Sequence, residues 1–391
     1  MIQLGAKINL IICQKSKIDD WVEHFENNYS DDLILNLTDK KEGLTPFIDI
    51  CTDSIMLKGC QNRQIVGIIN YELAFRRPEL RKLKDFTLML DESSIIQNEN
   101  AKRSRFILKL KPKNIILLSG TPTGGKYEKL WSQMKLLGWN ISKEMFYNHY
   151  VDYHYDDSNG FPLMIIDGYK NEDRLKRKMR EYGCQFLKTE DVFDLPDQIH
   201  QEIKIPVSND YKKFRKHSII STKDFELIGD TALTKMLYER QLCGQYNKDK
   251  ISAFYDLLES TQDRLIVFYN FWDELSELEK IAKELNRPCS YINGSLRALV
   301  AYEKLNNSIT FVQYQAGAMG LNLQKANKII YFTPPLSSEL FEQSKKRIHR
   351  IGQNKLCFYY YLVCKNSIEE KIYKTLAMRK DYTEALFKED L

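Results

Sequence analysis

The stretch Phe86-Thr-Leu-Met-Leu-Asp-Glu-Ser-Ser94 predicts a buried β-strand that ends in two neighbouring carboxylates. In open α/β sheets, ligands gather at the carboxyl ends of the parallel strands. At such an edge Asp91 can hold Mg²⁺ through its water shell, and Glu92 can orient an attacking water molecule. The same residues also fit a strand followed by a solvated acidic turn. Features elsewhere in the sequence are needed to distinguish the two interpretations.

Continuous apolar runs recur along the whole chain. Seven more of them predict strands at residues 9–13, 65–69, 115–118, 265–269, 309–312, 329–332 and 358–363. Because these runs do not alternate with polar residues, they are typical of parallel strands that are covered on both faces. The sequence therefore predicts an α/β fold with mostly parallel sheets.

Helical patterns lie between the strands. A Ser16-x-x-Asp19 capping signal opens one helix, a similar apolar period follows the run at 265–269, and Ser367 opens a last helix expected to pack on the second sheet. From about residue 140 to 250 the period is mainly helical, which indicates an insertion or linker with a short extended segment at 201–207. We place the domain boundary near residue 200, with a first domain at 1–200 and a second at 201–391.

Composition narrows the class of protein. The net charge of +5 is too small to imply nucleic acid by itself. Eight cysteines occur without a Cys-x-x-Cys pair, so we expect neither a zinc site nor a disulfide framework. No window has the length of an apolar membrane span, and the N-terminus lacks the pattern of a signal peptide. These features predict a soluble protein of the cytoplasm without a membrane partner.

Small residues follow two other predicted strands. Ser119-Gly-Thr-Pro122 comes directly after the run at 115–118 and should lie at the same sheet edge as Asp91. The glycine-containing turn at 315–322 is suited to close approach of a phosphate or a ribose. The alternatives are an ordinary loop in the first case and a tight strand-to-helix connection in the second.

A pair of arginines lies near the end of the second domain. Arg347 and Arg350 are three residues apart, and they would share one face if this segment were helical. Two guanidinium groups can neutralise the charge that develops on a transferred phosphate. The alternative is that the two arginines form a basic helix face that contacts only solvent.

Taken in this order, the motifs resemble the signature set of helicase superfamily 2, in its Swi/Snf-like branch, over nearly the whole chain. The most specific match is Arg347-Ile-His-Arg-Ile-Gly-Gln353, which is similar to motif VI. The 91–98 and 120–125 segments look closest to compact members carried by bacteriophages, which would place the protein in the host cytoplasm. The other matching segments are 10–21 with motif Ia, 70–73 with motif Ib, 91–94 with the DEAH box, 119–122 with motif III, 265–268 with motif IV and 315–322 with motif V.

The resemblance implies two RecA-like domains that close on ATP and Mg²⁺ and move along DNA, with hydrolysis at the cleft between the domains. It implies that Asp91 binds magnesium, that Glu92 activates water and that Gln343 links the domains. Arg347 and Arg350 would then act as arginine fingers on the γ-phosphate. The implied nucleotide-binding residues lie in the turns of motifs III and V: Ser119, Thr121, Gly317, Gly320 and Asn322.

The resemblance also implies double-stranded DNA as the partner. Contacts to its backbone would be sensitive to salt and insensitive to base sequence. RNA, and strand separation in place of translocation, stay open at this stage. The residues that the motif positions offer for this contact are Lys15, Lys17 and Asn70 in the first domain and Asn270 and Asn293 in the second.

Three departures from the family pattern affect these expectations. Gln14 replaces a proline of motif Ia, Lys346 replaces a glycine, and Ser93-Ser94 replace Ala-His, which puts the usual coupling between motifs II and III in doubt. More importantly, no Gly-x-x-x-x-Gly-Lys-Thr occurs in the 391 residues, and Gly5-Ala-Lys7 is followed by isoleucine where a hydroxyl is needed.

Three accounts fit this missing phosphate loop. The sequence is a piece of a longer ATPase, a separate polypeptide supplies the strand and loop, or the protein is a nucleic-acid-binding clamp that does not hydrolyse ATP. Because the family's phosphate-loop strand lies inside the first sheet, its absence should leave an apolar slot with unpaired strands on both sides.

Overall fold

A computed structural model describes residues 1–60, 63–120, 122–157, 162–185, 194–222, 225–317 and 321–387 of the chain. The chain forms two compact units. Unit 1 comprises Met1–Phe186 with Tyr382–Leu391, and unit 2 comprises Leu187–Asp381. Each unit is built on its own sheet, and these sheets confirm the predicted α/β class with mostly parallel strands.

The sheet of unit 1 has five parallel strands in the order β2-β3-β1-β4-β5. The three central strands are buried along nearly their whole length, as their continuous apolar sequences require. One apolar cluster around Phe47, Phe86 and Phe106 covers one face, and a second around Ile18 and Phe25 covers the other. The strands are β1 (Ile8–Cys13), β2 (Leu33–Asn36), β3 (Ile65–Asn70), β4 (Phe86–Asp91) and β5 (Asn114–Leu118).

The expected slot inside this sheet is not observed among the described strands. The five strands form one continuous ladder, and β5 lies at its edge. This edge strand is only half-buried although its sequence is Asn-Ile-Ile-Leu-Leu, and Leu118 is 40% exposed. The prediction of a gap was wrong because each described strand pairs directly with its neighbour, which leaves no space between them. Among the described residues the sheet instead has two edge strands with apolar sequences, β2 and β5, and β5 is the one beside Asp91.

Helices connect the strands of unit 1. The first of them begins at Ile18 and has no capping hydrogen bond from a side chain at its N-cap, Lys17, so the predicted cap at Ser16 was wrong. The helices are α1 (Ile18–Asn28), α2 (Thr45–Thr52), α3 (Ser54–Gly59), α4 (Tyr71–Ala74), α5 (Lys102–Ile107), α6 (Trp131–Leu136), α7 (Lys143–Tyr150) and α8 (Glu172–Glu181).

Residues from Tyr127 to Cys184 form a separate part of unit 1 with its own apolar cluster. The sequence predicted mainly helices here, but an antiparallel hairpin of β6 (Val151–Asp156) and β7 (Leu163–Tyr169) stands between α7 and α8. Trp139 contacts Phe146, Tyr150 and Tyr182 in this cluster. The helical period of the flanking segments concealed the hairpin.

The sheet of unit 2 has seven strands in the order β13-β12-β14-β11-β15-β16-β8. All its neighbours pair in parallel except β12 and β13. The segment predicted as a linker with a short extended stretch is the full edge strand β8, paired over its whole length with β16. The strands are β8 (Gln198–Ile205), β11 (Leu265–Tyr269), β12 (Cys289–Ile292), β13 (Arg297–Ala298), β14 (Ile309–Gln313), β15 (Lys328–Tyr331) and β16 (Cys357–Cys364), with a small separate hairpin of β9 (Ile219–Ser221) and β10 (Glu226–Ile228).

Apolar clusters cover both faces of this second sheet, and Ile372 and Leu376 of the last helix belong to one of them. That helix therefore packs on the second sheet as predicted. No helix among the described residues is long and apolar enough to cross a membrane. The helices that follow residue 200 are α9 (Asn209–His217), α10 (Ala232–Cys243), α11 (Lys248–Glu259), α12 (Trp272–Glu284), α13 (Val300–Lys304), α14 (Tyr314–Gly317), α15 (Ser338–Lys345) and α16 (Ile368–Phe387).

Candidate functional site

The carboxyl edge of the unit 1 sheet brings the predicted residues of this unit together. Cys13 pairs with Asn70 across β1 and β3, and Asp91 pairs with Leu118 across β4 and β5. The residues that immediately follow these strands, including Lys15 and Ser119, therefore lie along one edge of one sheet. Parallel strands produce this arrangement because all of them end on the same side.

Asp91 is held by two aromatic residues. The indole nitrogen of Trp21, in α1, donates a hydrogen bond of 3.0 Å to Asp91 Oδ2. The hydroxyl of the fully buried Tyr71 donates to the Asp91 backbone oxygen at 2.9 Å. Burial, followed by the nearby carboxylates of Asp91 and Glu92, raises the pKa of Tyr71 well above its ordinary value, so this hydroxyl stays a donor. The last residue of β4 thus has a fixed backbone and an oriented side chain.

Glu92 has an unusual backbone and a well-defined side chain. Its φ of 58° places it in the left-handed region, which costs a non-glycine residue about 1 kcal/mol or more. The hydroxyls of Ser94 and Ser119 each donate to Glu92 Oε1 at 2.7 Å. Ser119 follows β5, so this carboxylate joins the turn after β4 to the turn after β5. Strained residues of this kind concentrate at functional sites.

A buried amide forms a second connection between the same two turns. Ser93 Oγ donates to Gln133 Oε1 at 2.9 Å, and Gln133 Nε2 donates to the Pro122 carbonyl at 2.8 Å. Ser93 and Gln133 are both buried. The replacement of Ala-His by Ser93-Ser94 therefore does not leave motifs II and III unconnected, because Ser93 reaches Pro122 through Gln133 and Glu92 accepts from Ser119.

Several carboxylates surround the end of β1. Burial, with added contributions from Asp91, Asp20 and Glu72, raises the pKa of the Cys13 thiol to about 12. Cys13 therefore stays a neutral thiol at ordinary pH and is no nucleophile. Asn70 Oδ1 is buried and lacks a hydrogen-bond partner among the described residues, while its Nδ2 donates to Glu72 at 2.8 Å. This edge is thus rich in hard oxygen acceptors.

The oxygen acceptors at this edge fit a magnesium site to which the protein contributes one ligand. Mg²⁺ prefers oxygen ligands and usually keeps several waters, so one carboxylate such as Asp91 is a sufficient protein contribution. The remaining oxygens come from phosphates and from a phosphate-loop hydroxyl in nucleoside triphosphatases. Asp91 therefore fits the expected role, whereas the phosphate-loop hydroxyl has no counterpart in the sequence.

One glycine turn has part of the missing pattern. Gly120-x-x-x-x-Gly125-Lys126 has the spacing of a phosphate loop, but Tyr127 follows where Ser or Thr is needed. Tyr127 is fully buried and stacks on Tyr169 at a centroid distance of 4.2 Å, and its hydroxyl donates to Glu172 at 3.3 Å. Because this side chain is anchored in the core, the turn does not replace a phosphate loop.

The predicted arginines of unit 2 lie in turns and not on a helix. The helix α15 ends at Lys345, so Arg347 and Arg350 do not share a helix face. Arg347 is buried, and its Nη1 donates to the Leu321 carbonyl at 3.3 Å. Gln343, one turn earlier in α15, is also buried. The assignment of these residues to ATP hydrolysis stays a prediction.

Gln353 fastens this segment to the turn after β14. Its Nε2 donates to the carbonyls of Gln324, Ala326 and Ile348 at 3.1, 2.9 and 3.2 Å. Together with the Arg347 bond to Leu321, these contacts tie motif VI to motif V and to the residues just after it within unit 2. Asn322 is exposed beside this contact, and Gly317 ends α14. The predicted nucleotide-binding residues Gly320 and Thr121 lie outside the described residues.

The predicted DNA contacts differ in how free their side chains are. Lys15 is exposed, and Lys17 forms an ion pair of 2.5 Å with Asp20. Asn70 is buried, as described above. In unit 2, Asn270 Nδ2 donates to Thr333 Oγ1 at 2.8 Å, and Asn293 Oδ1 accepts from the backbone of a turn. Lys15 and Lys17 are the better placed of these five residues, whose role stays a prediction.

Sequence reasoning missed Trp21, Tyr71 and Gln133 as members of the site. Trp21 was recognised only as an apolar position of α1 and as part of motif Ia. The helical spacing of apolar residues in α1 predicted that Trp21 is buried. Such spacing does not identify the group that accepts a hydrogen bond from the indole N–H. Gln133 had no local signal, because it reaches Ser93 and Pro122 from a helix elsewhere in the sequence.

Comparison with known families supports the resemblance. The SNF2-related domain matches residues 4–250, and the helicase conserved C-terminal domain matches residues 249–352. A SWI/SNF-related matrix-associated actin-dependent regulator of chromatin, subfamily A member 1, from Mus musculus is 22% identical over 93% of this chain and 37% of its own length. The Saccharomyces cerevisiae ISWI chromatin-remodeling complex ATPase ISW2 is 23% identical over 95% of this chain and 35% of its own length.

The chain thus spans about a third of the length of these two relatives. A Bacillus subtilis protein named as an uncharacterized ATP-dependent helicase, YqhH, is 23% identical over 96% of this chain and 70% of its own length. The solved Sulfolobus solfataricus SWI2/SNF2 ATPase core in complex with dsDNA aligns over 99% of this chain and 82% of that chain, with 19% identity and a TM-score of 0.39. The family matches alone carry the assignment: the chain belongs to the SNF2-related family of superfamily 2 helicase proteins.

Proposed function

We propose that this chain is the motor part of an ATP-dependent DNA translocase or helicase. The observation that supports this most strongly is the Asp91-Glu92 pair at the carboxyl edge of a parallel sheet, held by Trp21, Ser94 and Ser119. In a member of the SNF2-related family, a fixed carboxylate pair at this edge suits magnesium binding and activation of water.

In this proposal, each of the following residues has a role in ATP hydrolysis. Asp91 would hold the magnesium that accompanies ATP, and Glu92 would orient and deprotonate the attacking water. Arg347 and Arg350 of unit 2 would neutralise charge on the transferred phosphate, so residues of both units would contribute. Gln343 would link the hydrolysis to the second unit. The turns at 119–122 and 315–322 would contact the nucleotide.

The phosphate loop lies outside the 391 residues in this proposal, either in an upstream segment of the same polypeptide or in a separate one. The open β5 edge, with Leu118 40% exposed and three half-buried apolar neighbours, suits the addition of one more strand. A polypeptide segment that carries Gly-Lys-Thr after such a strand would place its loop beside Ser119 and Glu92. We propose that this segment pairs with β5 and completes the nucleotide site.

DNA is the proposed substrate. Lys15 and Lys17 follow β1 at the same edge as Asp91, and such lysines would contact phosphates without reading sequence. Binding should therefore weaken steeply with salt. The resemblance to compact bacteriophage members and the location in the cytoplasm stay predictions, as does the domain boundary near residue 200.

The test is ATP hydrolysis by the 391-residue chain with and without duplex DNA. Glu92→Gln should reduce hydrolysis by about 100-fold or more, because the general base is lost. Glu144→Gln makes the same chemical change at an exposed position of α7 and should have no effect. A polypeptide carrying a strand and Gly-Lys-Thr is then added in trans.

The possible results of this experiment distinguish the motor from the nucleic-acid-binding clamp. Hydrolysis only after the addition, lost in Glu92→Gln, supports the motor and the separate phosphate loop. Hydrolysis by the chain alone that is lost in Glu92→Gln supports the motor but contradicts the need for another segment. Salt-sensitive DNA binding with no hydrolysis under either condition favours the alternative function, a nucleic-acid-binding clamp. Stimulation by RNA and not by DNA would overturn the choice of substrate.

A further inference from the structure

The indole of Trp21 makes the one side-chain hydrogen bond to the Asp91 carboxylate that the described residues show. Its Nε1 lies 3.0 Å from Asp91 Oδ2, within the range of a well-formed N–H···O bond. A hydrogen bond to a carboxylate is stronger than one between neutral groups. A tryptophan donates only through this nitrogen, so the contact fixes both the indole and the carboxylate.

The helix α1 fixes Trp21 in place. Ile18 and Phe25 of this helix are each 4% exposed and pack on the same sheet face as Ile11 and Met89. The Trp21 ring also contacts the rings of His24 and Phe25 at centroid distances of 5.7 and 6.2 Å. The indole therefore has little freedom to leave Asp91, and Trp21→Phe would keep the ring packing while removing the N–H donor.

We propose that Trp21 is a positioning residue for the magnesium carboxylate: it holds Asp91 Oδ2 so that the other oxygen, Oδ1, is presented to the metal and its water. This inference rests on the proposed function, because it gives Asp91 the role of magnesium ligand. A carboxylate that is already oriented loses less rotational freedom when it binds a cation. Removing the indole N–H should therefore weaken divalent-metal binding without altering the fold.

A measurement with metal alone separates this role from ATP hydrolysis. Mn²⁺ prefers the same oxygen ligands as Mg²⁺, and it is paramagnetic, so it broadens nearby NMR signals. Its binding to the 391-residue chain can be measured without ATP and without hydrolysis.

The experiment uses the indole N–H signals of the four tryptophans. Trp21→Phe identifies the Trp21 signal by its disappearance. Asp91→Asn should shift this signal and leave the other three in place. Mn²⁺ should broaden the Trp21 signal first in the native chain, and this preference should be lost in Asp91→Asn. An unshifted Trp21 signal in Asp91→Asn, or equal broadening of all four signals, would overturn the proposal.

The second readout is the Mn²⁺ dissociation constant, measured from the electron paramagnetic resonance of free Mn²⁺. Trp21→Phe should raise it about threefold to tenfold, because the carboxylate then loses rotational freedom when it binds the metal. The matched control is Trp131→Phe, which removes an indole bond of 3.0 Å to the Ile141 carbonyl in the same unit. An unchanged or lower constant in Trp21→Phe contradicts the positioning role, even if the chain proves to hydrolyse ATP.

Discussion

The hydroxyls of Ser94 and Ser119 donate hydrogen bonds to the same oxygen of Glu92, so removing either hydroxyl should affect catalysis. Ser94→Ala should lower kcat about tenfold while leaving the KM for ATP nearly unchanged, because the carboxylate loses orientation but no contact with ATP is removed. Ser119→Ala should lower kcat to a similar extent and also raise KM, because its turn is proposed to contact the nucleotide. The double variant should be less than additive, since both hydroxyls bind the same atom. The measurement is steady-state hydrolysis in a preparation with the phosphate loop supplied.

Ser132→Ala is the control for these variants. It removes a buried hydroxyl of the same unit that donates to the Ile96 carbonyl at 2.7 Å, away from Glu92. Equal loss of kcat in this control, or a change confined to KM in Ser119→Ala, would contradict the orienting role of the serines.

Glu274 provides a residue-scale prediction on pH. This glutamate is fully buried at the start of α12, where it accepts hydrogen bonds from the backbone of Asn270 and Phe271. Burial raises its pKa from 4.5 to about 7, against the lowering effect of those bonds. The folded state thus binds the proton more tightly than the unfolded state. Its contribution to stability is complete below about pH 4.5 and is lost as pH rises through about 7.

Glu274→Gln resembles the protonated acid and should remove this dependence. Relative to the native chain, its free energy of unfolding should increase between about pH 5 and pH 8, by at most about 3 kcal/mol. Urea unfolding at several pH values measures this difference. Glu277→Gln, at an exposed position of the same helix, should show no such trend. A difference that is constant with pH would mean that Glu274 is ionised at both ends of the range.

At the scale of elements, one amide ties motif VI to the residues that follow motif V, beside the bond from Arg347 to Leu321. Gln353→Ala would leave the carbonyls of Gln324, Ala326 and Ile348 without this donor in a buried place. We expect a loss of about 2 kcal/mol in stability and faster hydrogen exchange in the turn at 321–326. Gln201→Ala, at an exposed position of β8, is the control. Unchanged exchange in that turn would contradict the fastening role of Gln353.

The elements that sequence could predict are those with strong local signals. All eight apolar runs are strands, because buried parallel strands need continuous apolar sequence. The edge strand β8 was missed as a strand because its side chains are mostly exposed, so Gln, His and Glu replace the apolar signal. The hairpin of β6 and β7 was missed for a different reason, because the helical period of the flanking segments concealed it. Edge strands are specified by their partner more than by their own residues.

The candidate site was predictable only in part. Asp91, Glu92 and Ser119 follow strands directly, so the topology of a parallel sheet was enough to bring them together. Trp21 and Gln133 come from helices, and their contacts with Asp91 and Ser93 depend on packing angles that no local pattern encodes. Arg347 and Arg350 would share a face only if their segment were helical, and the preceding helix ends at Lys345, before it reaches them.

At the scale of the whole molecule, one buried ion pair joins distant parts of unit 2. Lys250 of α11 and Glu369 of α16 are fully buried, with Lys250 Nζ 2.6 and 2.8 Å from the two carboxylate oxygens. Burial alone would lower the pKa of Lys250, but Glu369 reverses this effect and raises it. Glu369 also accepts from the Cys364 backbone at 2.9 Å, so it fastens β16 as well.

Lys250→Met should therefore destabilise the chain by about 3 to 5 kcal/mol, because it leaves a buried carboxylate without its cation. Urea unfolding measures the change. Lys280→Met breaks an exposed pair with Glu277 and should cost less than about 1 kcal/mol. Similar losses in the two variants would mean that Glu369 becomes protonated or hydrated at little cost.

We propose that ATP hydrolysis at Glu92 drives movement along duplex DNA. The most direct measurement is displacement of a third strand from a DNA triplex by the chain, with the phosphate-loop polypeptide added if hydrolysis requires it. Displacement should depend on ATP, be lost in Glu92→Gln and be retained in Glu144→Gln. Displacement without ATP, or to the same extent in Glu92→Gln, would contradict this proposal.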